Sequence, residues 1–152
     1  FINQHRLVHT TFLGGTEEYL PQFSENPNLV ISMDFGERSS MDFIEKCIPY
    51  VDLAFFSLPE GAGMSMETLA RQMFRYGPRM VIVTQGSLGS LVYDGNVYTQ
   101  PSIPTEVVDT LGAGDAYIGT FLANWLAEKP IPECMADATQ IASLACTHLG
   151  GF

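Results

Sequence analysis

Hydrophobic and polar positions follow two rhythms along this chain. Leu29-Val30-Ile31-Ser32-Met33, Val51 to Phe56 and Met80-Val81-Ile82-Val83-Thr84 are short, nearly continuous apolar runs. Runs of that kind predict strands buried on both faces. An earlier strand is expected around Leu7-Val8-His9-Thr10, ahead of a Gly14-Gly15 turn. Helices are expected between the strands. Glu17 to Phe23 forms a short one, stopped by Pro27-Asn28. Ser39 or Ser40 caps one running to about Ile48, and Ser65 caps one over Met66 to Tyr76. Ser90-Leu91-Val92-Tyr93 and Asn96-Val97-Tyr98-Thr99 flank Asp94-Gly95, the pattern of a hairpin. Glu106-Val107-Val108 reads as strand-like, and Ala116 to roughly Leu126 as a long apolar helix. A last helix opens at Pro132, with Met135, Ile141, Leu144 and Ala145 at core spacing, and ends at Gly150. Strands alternating with helices of this length predict a mostly parallel sheet covered on both faces. That is an α/β fold, a three-layer α/β/α sandwich.

Composition narrows the function classes. The 152 residues, 46% of them hydrophobic, suit one globular domain. No apolar run approaches the ~18 residues of a membrane span. The chain begins at Phe1 with no charged-then-apolar leader, and reads as part of a longer protein. A net charge of −10 argues against nucleic acid and anionic membrane as partners. It leaves room for a nucleotide, whose charge Mg²⁺ and backbone amides can meet. Cys47, Cys134 and Cys146 are odd in number and unpaired in spacing, as expected of reduced, mostly buried thiols in a cytoplasmic protein. His5, His9 and His148 show no metal-ligand spacing.

The chemistry concentrates in Asp109-Thr110-Leu111-Gly112-Ala113-Gly114-Asp115. Small residues fill the place where a strand turns into a helix. Such a turn leaves backbone N–H groups unpaired at the helix start, with a partial positive charge of about half a unit. It is a ready anion site. Gly112 and Gly114 carry no side chain to hold a phosphoryl group away. Asp115 makes sense there as a proton acceptor. Read alone, Gly-Ala-Gly-Asp also fits an ordinary helix start with an N-terminal acid. No G-K-[ST] follows, so the turn is not a Walker A loop. Tyr117 stands where a dinucleotide fingerprint needs its third glycine.

The whole string D-T-x-G-A-G-D, followed by an apolar helix, resembles the signature of the ribokinase-like (PfkB-type) carbohydrate kinases. Thr84-Gln-Gly86-Ser-Leu-Gly89 resembles that family's T-x-G-x-x-G segment beside the nucleotide phosphates and ribose. Ser57-Leu-Pro-Glu60 falls where the family carries N-x-x-E, with serine in place of asparagine. Asp34 and Arg38 fit D-x-N-x-R, with Gly36 in place of asparagine; a surface ion pair is the alternative there. Met33-Asp34-Phe35, Ala54-Phe55-Phe56-Ser57 and Gly150-Gly151-Phe152 resemble the fructoselysine-kinase branch.

The resemblance implies a ribokinase-like fold of which residues 1–152 are the C-terminal, nucleotide-binding and catalytic part, the N-terminal part being absent. It implies ATP-dependent phosphorylation of a hydroxyl on a sugar or sugar derivative, a fructosamine such as fructoselysine included. Asp115 is the base, and the N–H groups of Gly112, Ala113 and Gly114 hold the developing charge. Thr84, Gly86, Gly89 and Thr110 lie along the nucleotide, and Thr139, where asparagine is common, lies on the helix flanking the adenine. Mg²⁺ has Glu60 in its outer sphere, and carbonyls around Asp109 and Leu111 are where relatives hold K⁺. The expected partner is a small sugar or sugar-amine, with a homodimer in the full-length protein and no activity from this fragment alone. The rivals are a non-catalytic nucleotide or sugar-phosphate sensor on the same fold and a nucleoside or vitamin kinase of the same superfamily. Four loops, 34–38, 57–60, 84–89 and 109–115, fall where an α/β sheet binds its ligands.

Overall fold

A computed structural model describes residues 4–150; Gly151 and Phe152 of the terminal Gly-Gly-Phe stretch lie outside the described residues. Six strands form one sheet in chain order: β1 (Leu7–Thr11), β2 (Val30–Asp34), β3 (Leu53–Ser57), β4 (Met80–Thr84), β5 (Ser90–Tyr93) and β6 (Val97–Gln100). β1 to β4 run parallel, and β5 and β6 are added antiparallel as the hairpin. The helices are α1 (Leu20–Ser24), α2 (Met41–Cys47), α3 (Met66–Phe74), α4 (Ala113–Leu126) and α5 (Ile131–Ala145).

Period-two alternation along the strands feeds two cores. One side of the sheet contributes Ile31, Met33, Ala54, Phe56, Val81 and Val83, and packs with Leu20 of α1, Ile44 and Cys47 of α2, and Ala70 and Met73 of α3. The other contributes Leu53, Phe55, Met80, Ile82 and Val92, covered by Tyr117, Ile118, Phe121 and Leu122 of α4 and by Cys134, Met135 and Ala138 of α5. These are the three layers expected. Aromatic rings fix both contacts: Phe35 stacks on Phe56 at 4.9 Å, and Phe55 meets Phe121 edge-on at 5.7 Å. Because β2 to β4 are walled in on both sides, their sequences are mostly apolar rather than strictly alternating.

The caps explain the helix starts. Ser40 accepts a hydrogen bond from the Phe43 N–H at 3.3 Å, and Ser65 from the Thr68 N–H at 3.1 Å. Several boundaries differ from the sequence expectation: α1 starts at Leu20 rather than Glu17 and α3 ends at Phe74 rather than Tyr76, and three further differences bear on the site. Glu106-Val107-Val108 is not a strand: Val107 and Val108 are exposed, and the Val108 N–H donates to the Cys146 carbonyl at 2.8 Å instead of to a sheet neighbour. α4 starts about a turn earlier than Ala116, because Gly112 supplies the left-handed residue that lets the helix begin at once. α5 stops at Ala145 rather than running to Gly150. None of the three free cysteines is bridged. Among the described residues no helix is long and apolar enough to cross a membrane.

Tyr117 ties α4 to the sheet beneath it. Its hydroxyl donates to the buried Ser90 Oγ at 2.9 Å, and burial pushes its pKa up to about 12. Tyr117→Phe removes this bond at almost constant shape and should cost about 1–2 kcal/mol. Denaturant melts of the two proteins compare them directly; coincident midpoints would show that the bond contributes nothing.

Candidate active site

On the α4 side of the sheet, the strands turn polar at their carboxyl ends. Counting by twos from residues packed in the second core places His9 and Thr11 of β1, Ser32 and Asp34 of β2, Ser57 of β3 and Thr84 of β4 on that side. Parallel pairing sets Thr11 beside Asp34 and Ser57 beside Thr84, whose hydroxyl oxygens lie 3.5 Å apart. α4 begins above this polar margin.

The turn into α4 is built as its small residues require. Gly112 has φ 80° and ψ −9°, a left-handed conformation that costs other residues roughly 1–2 kcal/mol. The helical ladder opens with the Ala116 N–H donating to the Gly112 carbonyl at 2.8 Å, while the Ala113 N–H turns back toward the Thr110 carbonyl at 3.3 Å. The N–H groups of Gly114 and Asp115 precede the ladder and are its open donors. A Cβ added at Gly114 would meet nothing within 4 Å. That space belongs to a cavity of about 740 Å³. Its wall includes Ser57 and Glu60 after β3, Thr84, Gly86 and Gly89 after β4, Thr110, Ala113 and Gly114 from the turn, and Thr139 from α5. Glu37 brings in the loop after β2, so all four loops converge. A smaller space of about 170 Å³ lies at the opposite end of the sheet, beside the Asp52–Arg79 ion pair, with none of these residues.

Three site residues stand outside the cavity wall. Gly112 directly precedes the wall residues Ala113 and Gly114 in the chain. Asp109 works as a clasp: its Oδ1 accepts the Leu111 N–H at 3.0 Å and its Oδ2 accepts the Gly150 N–H at 3.1 Å. These bonds, Leu111 first, hold its carboxyl below the usual range. The clasp joins the entrance of the turn to the end of the chain behind α5. Asp115 stands in the first turn of α4, and its charge acts to raise the pKa of both His9 and Asp34.

Glu60 is engaged from another direction. Its Oε1 accepts both the Ser87 hydroxyl at 2.6 Å and the Ser87 N–H at 2.9 Å, and these bonds, the hydroxyl first, lower its pKa. A one-turn 3₁₀ segment, Gly86–Leu88, presents that serine, and its carbonyl accepts the Ser102 hydroxyl in turn. Glu60 therefore fixes the Gly-rich loop with one oxygen and keeps the other free. Asp34 and Arg38 form no ion pair. Asp34 Oδ1 accepts the Gly36 N–H at 2.8 Å, and burial raises its pKa against the pull of that bond and of His9. His148 bonds locally to Thr147 and the Leu144 carbonyl, as a helix-end residue.

Residues 22–151 match the model of the pfkB family carbohydrate kinases. The chain belongs to that family. Over 154 aligned residues it is 34% identical to the fructosamine kinase of Bacillus subtilis, covering 100% of this chain and 53% of that protein. Against the fructoselysine 6-kinase of Escherichia coli it is 31% identical over 156 residues, covering 100% and 58%. The chain thus spans about half the length of the curated relatives it matches. A putative ribokinase II from E. coli, solved with ATP and Mg²⁺, superposes with a TM-score of 0.82 at 22% identity, over 96% of this chain and 54% of that one. At that identity the likeness is one of fold.

Sequence reasoning missed three side chains. His9 was judged only for metal spacing, yet pairing of β1 with β2 carries it to the margin beside Asp34. Ser87 was one unremarkable letter in a glycine-rich loop. Phe12 explains a departure from the pfkB pattern: a Cβ at Gly36, which has φ +59°, would sit 2.6 Å from the Phe12 ring. The ring leaves no room for a side chain at position 36. Gly36→Asn should therefore destabilise the protein by about 1–3 kcal/mol through overpacking. Adding Phe12→Ala should shrink that cost, because the two positions share one space. A double-mutant cycle measured by chemical denaturation decides it; strictly additive effects would mean the ring is not the obstacle.

Proposed function

We propose that this chain is the nucleotide-binding and catalytic half of an ATP-dependent kinase acting on a hydroxyl of a sugar or sugar-amine, a fructosamine among them. One observation carries the reading. Asp115 sits in the first turn of α4, beside the open N–H donors of a glycine turn that borders the cavity, and takes no hydrogen bond or ion pair from any described residue. A carboxylate that merely capped the helix would repel the anion the turn is shaped to receive. A base has a reason to be there.

The acceptor hydroxyl's oxygen attacks the γ-phosphorus and its proton passes to Asp115. The bond from that phosphorus to the bridging oxygen breaks, and ADP leaves with the electron pair. The N–H groups of Gly114 and Asp115, with Gly112 and Ala113 shaping the turn, stabilise the charge on the transferred group. Thr84, Gly86, Gly89 and Thr110 line the phosphate end of the cavity, and Thr139 the far end.

Among the described residues no three His, Cys, Asp or Glu side chains gather to cage an ion. Where Mg²⁺ accompanies the nucleotide, the Glu60 oxygen that Ser87 leaves free would contact it through water. Bound there, Mg²⁺ neutralises charge on the phosphates. The Asp109 carboxylate is committed to Leu111 and Gly150, so only carbonyls around Asp109 and Leu111 are left for K⁺.

In the full-length protein Asp115→Asn should keep nucleotide affinity within a few-fold and cut turnover by roughly 10²–10⁴. Steady-state kinetics beside calorimetric nucleotide titration test this. Near-normal turnover would remove Asp115 as the base, and a non-catalytic sensor would show no wild-type turnover at all. Residues 1–152 alone should turn over no sugar, because in-line alignment of two reactants supplies about 7–11 kcal/mol and nothing here clamps the acceptor from above. β1 lies at the sheet edge, so the isolated chain should also associate. An ADP-release assay with hexoses, fructosamines and nucleosides, run on a monodisperse sample, checks both statements.

A further inference from the structure

The polar margin divides at α4. The nucleotide-side cavity occupies the β4–β5 part, and His9, Thr11 and Asp34 lie on the other, outside its wall. This second group is built rather than loose. His9 Nδ1 is 3.0 Å from Ser32 Oγ, and its ring meets Phe55 edge-on with centroids 6.3 Å apart, so Nε2 is the nitrogen left for a ligand. Asp34 is half-buried and held by the Gly36 N–H at Oδ1. Its Oδ2 takes no hydrogen bond or ion pair from a described residue. Phe12 closes the space above Gly36. The charge of Asp115, in the first turn of α4, acts on both His9 and Asp34, so the group stands within electrostatic reach of the base.

The chemistry of the group limits what that acceptor is. Two carboxylates, Asp34 and Asp115, face it. The ion pairs among the described residues are Arg71–Glu67, Arg79–Asp52 and Lys129–Asp137, all away from it. Burial lowers the His9 pKa against the pull of both carboxylates, so the imidazole does not cancel their charge at neutral pH. A half-buried carboxylate with an open oxygen and no counter-charge repels carboxylate or phosphate groups on a ligand and attracts an ammonium.

We propose that His9 and Asp34 form the acceptor subsite of this kinase half, with Asp34 Oδ2 receiving the protonated amine of a sugar-amine and His9 bonding a neighbouring hydroxyl. The assignment rests on Asp115 being the base. It makes Asp34 a specificity residue: an aminated sugar is preferred over the same sugar without its amine.

The test uses the full-length protein with a fructosamine and the parent fructose as probes. In Asp34→Asn the amide oxygen can still accept the Gly36 N–H, so the loop is kept while the charge goes. The ratio of kcat/KM for fructosamine to that for fructose should fall by about tenfold or more, chiefly through the KM of fructosamine. In the wild type, added salt should erode the same ratio. His9→Gln should weaken both probes together without changing the ratio. An unchanged ratio in Asp34→Asn, with turnover retained, overturns the subsite and leaves the kinase reading intact. Absence of wild-type turnover on either sugar overturns the kinase reading and the subsite with it. A thermal melt matching wild type confirms that the comparison is between folded proteins.

Discussion

A helix cannot satisfy its own first N–H groups, and this chain leaves those of α4 unfilled on purpose-shaped backbone. Two of the five helix starts among the described residues are closed by a serine, Ser40 and Ser65 each spending an oxygen on the third residue of the helix that follows, while α1 and α5 open with a proline in the first turn. α4 has no side-chain cap at all. Gly112 in the left-handed region turns the chain, Gly114 keeps the space above clear, and the donors remain for an anion. The cost is real, since an uncapped start forgoes about 1 kcal/mol. The rest of the molecule offsets it.

That offset comes from packing. α4 is anchored along its length by Ile118, Phe121 and Leu122 in the second core and by the Tyr117–Ser90 bond under the cavity floor. Two carboxylates act as clasps around the open turn. Asp109 ties its entrance to the chain end behind α5, and Glu60 ties the Gly86–Leu88 segment to the loop after β3. Each carboxyl is held below its ordinary pKa by the bonds it accepts. A folded-state pKa lowered in this way means the clasp is fully formed above the ordinary carboxylate range and is lost as pH falls through the lowered value. The turn therefore keeps its shape at neutral pH without any residue entering it.

The layers were legible in the sequence because they follow from local pattern. Continuous apolar runs gave β2 to β4, serines gave the starts of α2 and α3, and Asp94-Gly95 gave the hairpin. The turn into α4 was legible because its small residues stand in one contiguous stretch. What failed was whatever depends on distant partners. Val107 and Val108 have strand-forming side chains, but no strand pairs with them; the Cys146 carbonyl at the end of α5 takes the Val108 N–H instead. His9 and Asp34 are 25 positions apart, and only the register of β1 on β2 brings them to one margin. Gly36 stands where the resemblance expects asparagine, and only the fold sets the Phe12 ring against it. The pairing of Glu60 with Ser87, across 27 positions, is of the same kind.

The central claim is that the open donors of the α4 turn receive the phosphoryl end of a nucleotide. Backbone amide resonances report this without reference to turnover. On titration of the full-length protein with a non-hydrolysable Mg²⁺–ATP analogue, the amide signals of Gly114 and Asp115 should move furthest, followed by those of Gly86 and Gly89. Saturable nucleotide binding that leaves Gly114 and Asp115 unmoved would contradict the account.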